Sequence, residues 1–419
     1  MRKSKKIALI FCSSFMLISG YGLAPKAQAA SAAPAPLSIM LDSYPLPFPA
    51  DPVVIQGTTM VPFRAIAEAM QISVQWTAKT QQIEATKSIA GASKTVILRV
   101  SSKNATVNGN SLPLAVAPLV RNGSVLVPLS FFSSQFGASV GWDAKSRTVS
   151  IASPKEDLYT MGFYAISSFD ERRFISKFDS VSFGWARIDE QGQLTLQGKD
   201  YYWPQAAGDT TPESIITGAS QAGTSPELMV VATDVKGELT RLLGDPQLRS
   251  KAIDNIVALA ADKQFDGITL DFEGLGLTGE ASTVQQSFTE FVRLLDEQAQ
   301  NRDLKLTLAL HPLNGSYKGY DYKKLAAYAD QFVIMAYDYS YEKGPEPLKR
   351  VDEAIHLALN QVPKDKILLG ISMGSENAGT INGKIGLAKR YDLKGVALWR
   401  IGIIGDAVIQ KVEQTIALK

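Results

Sequence analysis

The chain has 419 residues, of which 20% are charged and 45% hydrophobic, with 43 basic and 41 acidic residues and a net charge of +2. That length suits two domains, or one large domain with an appendage, and the balanced charge excludes a chain built to bind nucleic acid or an anionic membrane surface. The one cysteine, Cys12, and the two histidines exclude a disulfide framework and leave too few ligands for a catalytic zinc site.

The chain opens with "MRKSKKIALIFCSSFMLISGYGLAPKAQA": a basic start, an apolar run from Ile7 to about Ile18 and an Ala27-Gln28-Ala29 ending. This reads as a secretory signal peptide over residues 1–29, cleaved after Ala29, so the protein is expected to be secreted or wall-associated. The apolar run is broken at Cys12, Ser13 and Ser14, short of the ~20 residues of a permanent anchor, so no transmembrane anchor is expected after cleavage. Cleavage removes five basic residues and no acid, which leaves 38 basic against 41 acidic residues, a net −3. The excess of positive charge therefore belongs to the signal.

Residues 37–153 repeat themselves. The segment from Val54 aligns without a gap with the segment from Val120, an offset of 66 residues that matches Gly57 with Gly123, Pro62 with Pro128 and Trp76 with Trp142. Each unit predicts a turn at the glycine, a short strand, a helix of about ten residues starting near the proline, and a tryptophan-bearing hairpin. The pattern resembles the copper amine oxidase-like amino-terminal domain, a stalk module of exported bacterial proteins. Residues 31–153 contain no His or Cys, so a spacer or wall-interaction module with Trp76 and Trp142 in its core is expected rather than a copper site. Both tryptophans could instead serve as sugar platforms.

From 157 to 419 short apolar runs alternate with amphipathic segments. Eight runs read as strands: "YTMGFYAI", "SVSFGW", "LMVVAT", "GITLDFE", "KLTLALHP", "FVIMAYDY", "ILLGIS" and "GVALWRIG". Helices are predicted over Ser250–Lys263, 282–300 and 320–330. The expected fold is α/β, a (β/α)8 TIM barrel preceded by a small α+β repeat domain. An open doubly wound sheet is the alternative, but no glycine-rich phosphate turn follows the first strand.

Acids gather on the fourth strand, "FDGITLDFEGL". Thr269, Asp271 and Glu273 share one face by parity, whereas Asp266 has the opposite parity and reads as structural. A carboxylate pair on a buried face raises the pKa of one member, as a general acid working near neutral pH requires, although a solvated strand end is an equal reading of these residues alone. The run resembles the signature of family 18 glycoside hydrolases, Asp-Gly-x-x-x-Asp-x-Glu, with Thr269 where that family usually has a further Asp. "MAYDY" resembles the family's Met-x-Tyr-Asp on the sixth strand, and Trp399 stands where its last strand places a tryptophan.

The resemblance implies substrate-assisted catalysis without a cofactor. Glu273 would be the acid and base, Asp271 would stabilise the oxazolinium nitrogen, and Tyr337 would hold the acetamido carbonyl. Asp338 and Met335 would contact substrate and Trp399 would floor the bound sugar. Thr269 is expected to hydrogen-bond Asp271 without sharing a proton, leaving Asp271 readily ionised. The implied partner is an N-acetylglucosamine-containing polysaccharide, and "SFGWARIDEQGQL" with Phe272 looks most like the bacterial branch acting on peptidoglycan rather than chitin. A short link between the last two strands implies an open groove. A non-catalytic glycan-binding or structural barrel is the alternative, disfavoured because both acids and Tyr337 are present.

Overall fold

The computed structural model describes residues 36–89, 91–277, 279–339 and 344–419; the expected signal peptide and Cys12 lie outside them. Among the described residues no helix is long and apolar enough to cross a membrane, and no group of three or more His, Cys, Asp or Glu could hold a metal ion.

Eight parallel strands close into a barrel: β1 (Tyr159–Tyr164), β2 (Ser180–Ile188), β3 (Ser225–Thr233), β4 (Gly267–Glu273), β5 (Lys305–Leu310), β6 (Gln331–Ile334), β7 (Ile367–Ser372) and β8 (Gly395–Trp399). Each pairs with its sequence neighbour, and β8 returns to β1 through Tyr159 opposite Gly395, so no edge is left open. The fold is thus the expected one, and all eight strands fall on the predicted runs. Alternation along each strand builds two cores. Ile268, Leu270 and Phe272 of β4, like Leu228, Val230 and Ala232 of β3, point outward into the helical layer. Met229, Val231, Val333, Leu368 and Ala397 point inward and plug the barrel beneath its mouth.

Helices Pro246–Asp262 and Ala281–Gln300 lie within a few residues of the predicted ones. The helix expected over 320–330 shrinks to Tyr322–Leu325, because the chain must unwind to enter β6; the Lys366 ammonium donates to the freed carbonyls of Ala326 and Ala329 at 3.0 and 2.9 Å. The first crossover is a 3-10 segment, Phe169–Lys177, rather than an α-helix.

The amino-terminal repeat forms two matching units, each a hairpin, a seven-residue helix (Phe63–Ala69 or Leu129–Gln135) and a second hairpin. The helices are shorter than expected. Strand Thr58–Pro62 pairs antiparallel with Ser124–Pro128 so that Val61 faces Val127, its counterpart at the offset of 66, which places a local pseudo-twofold axis between the units. Trp76 packs against the core of this module as expected, but Trp142 is 52% exposed. Both tryptophans sit on edge strands, Ser73–Thr77 and Ser139–Asp143, but Trp76 reaches the module's core whereas Trp142 projects from a strand most of whose residues are exposed.

The module is bolted to the barrel wall. The Arg390 guanidinium, at the end of helix Ile381–Arg390, donates to the carbonyls of Leu41, Tyr44 and Pro45 and stacks on the Tyr44 ring, while Lys87 pairs with Glu156 at 2.8 Å.

Candidate active site

The carboxyl ends of β4, β5, β6 and β8 converge on a cavity of about 430 Å³, within the range of small-molecule clefts. Glu273, Asp271, Tyr337, Asp338, Trp399 and Met335, the six residues singled out from the sequence, all line it. Parity accounts for the two acids, which stand two residues apart on the inward face of β4. Their depth differs. The Asp271 residue is 4% exposed, whereas the Glu273 side chain is 38% exposed at the mouth.

That difference sets their electrostatics. Burial, and then the charge of Glu273, push the Asp271 carboxyl well above the usual carboxylate range. The expected easily ionised Asp271 is therefore not what forms, because loss of water outweighs the absence of a second carboxyl at 269. Among the described residues Asp271 Oδ1 has no hydrogen-bond partner, which leaves an acceptor at the cavity wall. His311 Nε2 stands 3.5 Å from Glu273 Oε2, longer than an ordinary N–H···O hydrogen bond, and its ring stacks on Tyr317 at 4.1 Å. His311 is held from behind by Tyr322, whose hydroxyl donates to the His311 carbonyl.

Thr269 does something other than expected. Its hydroxyl donates to Glu227 Oε2 at 2.7 Å, so the proton that would have gone to Asp271 is committed to a different acid. Glu227 is fully buried on β3, in a polar floor with Ser180, Ser182, Thr307 and Gln331, and burial raises its pKa. A raised carboxylate favours the protonated native state, so its stabilisation is complete below the unfolded pKa and is lost as pH rises through the folded one. Glu227→Gln keeps an acceptor for Thr269 and removes that loss. Its thermal midpoint relative to the native chain should therefore rise between pH 4 and pH 8, and a constant difference across that range would count against the assignment.

β6 ends at Ile334, so "MAYDY" lies beyond the strand rather than on it. Ala336 N–H bonds to Ile334 O and Tyr337 N–H to Met335 O, each at 2.8 Å, two successive tight turns that curl the chain over the barrel mouth. Tyr337 is thereby tipped inward, where burial and then the charges of Asp271, Glu273 and Asp338 raise its phenol far above normal and keep it a neutral donor. Asp338 follows in the left-handed region (φ 58°), which Asp tolerates better than most residues, and its N–H donates to Glu346. Trp399 closes the opposite wall with Phe163 packed edge-on against it at 5.4 Å.

Space for the Tyr337 ring depends on Gly370 of β7. A Cβ there would lie 2.7 Å from Ile334 O and 3.1 Å from the ring. Displacements of about 1 Å can cost 10²-fold in rate. Gly370→Ala should accordingly lower kcat roughly ten- to a hundredfold with the fold retained by circular dichroism; full activity would show that the Tyr337 position is unimportant.

Several residues around the site escaped the sequence reading. Tyr201, from the loop after β2, does not line the cavity but packs with Tyr337 and Trp399 against the inward core, and its phenol is pushed up by burial and then by Asp271 and Glu273. Asn314, Tyr339 and Arg350 complete the β5–β6 side. All four sit in loops or at a helix start, where no periodicity marks them. Segment 373–394, between β7 and β8, contributes none of the lining residues, consistent with the short link expected to leave the groove open.

Known proteins bear on this arrangement. The family model for Glycosyl hydrolases family 18 matches residues 159–386, and that for the Copper amine oxidase N-terminal domain matches residues 40–151. Bacillus subtilis YdhD, named as a sporulation-specific glycosylase, is 27% identical over 233 residues, 51% of each chain. The cortical fragment-lytic enzyme of Bacillus subtilis is 27% identical over 159 residues, covering 34% of this chain and 36% of that one. The chain thus spans about half or less of the curated relatives it matches. Among solved structures, a chitinase from Chromobacterium violaceum has a TM-score of 0.52 at 21% identity, covering 61% of this chain and 98% of that one. The Bacillus cereus spore cortex-lytic enzyme SleL has 0.52 at 18%, covering 64% and 77%. At these identities the structural likeness speaks for the fold.

Proposed function

Because this chain belongs to Glycosyl hydrolases family 18, we propose that it is an exported glycosidase that cleaves β-1,4 linkages beside N-acetylglucosamine in cell-wall glycan, with retention of configuration. The observation that carries the reading is the pairing on β4 of a half-exposed Glu273 with a buried Asp271 whose Oδ1 has no partner among the described residues.

A carboxyl this buried and this hard to ionise is a poor nucleophile, so the attacking atom is assigned to the substrate's own acetamido oxygen. Glu273 gives its proton to the glycosidic oxygen as the C1–O bond breaks and the acetamido oxygen bonds to C1. Asp271 Oδ1 accepts from the acetamido N–H, a hydrogen bond that strengthens as positive charge grows on that nitrogen. The Tyr337 hydroxyl donates to the acetamido oxygen and holds it in line, and Trp399 gives the ring an apolar floor. Water then attacks C1 from the opened side as the bond from C1 to the acetamido oxygen breaks, Glu273 takes the proton that the water gives up, and the sugar leaves with its original anomeric configuration.

Peptidoglycan is favoured over chitin because YdhD and the cortical fragment-lytic enzymes, the similar curated proteins, are named for sporulation and cortex lysis. The amino-terminal module is assigned a wall-associating role, with its exposed Trp142 as one contact. The test is to incubate the chain with peptidoglycan and with chitin oligosaccharides, identify new reducing ends by mass spectrometry, and read the first-formed anomer by NMR. New N-acetylglucosamine reducing ends from peptidoglycan, released as the β-anomer, are expected. Release of the α-anomer would overturn the mechanism, and cleavage of chitin alone would overturn the substrate.

A further inference from the structure

The catalytic cavity carries one feature that cleavage of a neutral sugar does not use. Three of its lining residues are acids, Asp271, Glu273 and Asp338, yet Arg350 stands at its rim. The guanidinium is not a loose surface charge. It lies over the Tyr339 ring at 4.4 Å; the Tyr339 hydroxyl donates to Asn314 Oδ1 at 2.9 Å; and Asn314 Nδ2 donates back to the Arg350 carbonyl at 2.9 Å. This closed loop of contacts orients a planar cation, the geometry suited to a bidentate grip on a carboxylate.

Among the described residues its charge is also weakly engaged. The neighbouring acid on the same helix, Glu353, is engaged by Asn314 at 3.0 Å, and the Arg350 side-chain bond to Asn314 O is long at 3.5 Å. Arg350 lies in the first turn of helix Leu348–Leu359, beside Lys349, with no acid in that turn and no side-chain cap on Pro347. A helix start already favours an anion, and two cations there strengthen the same preference.

Building on the glycosidase reading, we propose that Arg350 reads a carboxylate on the glycan, so that the cleft prefers anionic peptidoglycan strands to neutral chitin. Two carboxylates are available on such strands: the lactyl group of N-acetylmuramic acid when unsubstituted, and the carboxylates of the attached peptide stem.

The test compares the native chain, Arg350→Gln and Arg350→Lys on chitin oligosaccharides, on glycan strands freed of stems, and on strands with stems intact. Arg350→Gln should raise KM on anionic strands threefold to tenfold more than on chitin, with little change in kcat, as befits a partly exposed charge pair. Arg350→Lys should fall between, and 1 M salt should shrink the difference. A loss confined to stem-free strands assigns the lactyl carboxylate; one confined to intact strands assigns the stem. Equal losses on chitin and on anionic strands, or none on either, would overturn the proposal while leaving the glycosidase intact. Should the native chain cleave none of the three, the glycosidase reading fails, and titration of the same strands against both variants still reads whether Arg350 prefers the anion.

Discussion

Glu273→Gln should lower kcat by about 10²–10⁴-fold on unactivated cell-wall glycan, the range for loss of a general acid, with the barrel intact. The substitution keeps the shape of the side chain and removes its proton. Among the described residues Glu273 makes no side-chain hydrogen bond, and His311 Nε2 stands 3.5 Å from its Oε2, so little of the fold depends on it. The loss should also depend on the leaving group. An aryl glycoside of N-acetylglucosamine, whose phenolate departs without a proton, needs no acid in the first step, so its loss should be markedly smaller. Equal losses on both substrates would mean that Glu273 positions rather than protonates, and no loss on either would remove it from the chemistry. The comparison needs only steady-state rates and a thermal melt.

Much of this site was legible in the sequence because strands write their geometry into residue order. Parity alone put Asp271 and Glu273 on one face of β4 and Asp266 on the other, and Asp266 is indeed exposed at the strand's start. What parity could not convey was depth. The same inward face runs from a fully buried Thr269 to a half-exposed Glu273, and depth decided that the Asp271 carboxyl is hard to ionise. Nor could it supply partners from another strand: Glu227, which takes the Thr269 hydroxyl, lies 42 residues away and reads as one more acid in a strand. Tyr201, Asn314 and Arg350 lie outside any periodic pattern, and only closure of the barrel brings them together. The Trp142 error has the same root, since alternation marks which face a side chain takes but not whether a neighbour covers that face.

The second large effect is expected away from the chemistry. Lys384→Met should destabilise the barrel by about 3–5 kcal/mol, the usual consequence of removing one partner from a buried ion pair. The Lys384 and Glu376 side chains are 4% and 1% exposed and meet at 2.7 Å, and the same ammonium donates to the Glu346 carbonyl at 2.7 Å. Without it the Glu376 carboxylate is left charged and dry, with Oε2 already unpartnered. The damage should reach the active site along a short path: Glu346 N–H rests on Glu376, and Glu346 Oε1 holds the N–H of Asp338 in its left-handed conformation. KM should therefore rise in Lys384→Met even at temperatures where the chain remains folded. The double variant Lys384→Met/Glu376→Leu separates the two effects. Replacing the whole pair with apolar groups should recover most of the stability, because no uncompensated charge remains, yet leave KM raised, because Glu346 N–H has lost its acceptor. If the double variant is as unstable as the single one, the ion pair is not the source of the loss, and the packing of helix Ile381–Arg390 against β7 and β8 must carry it.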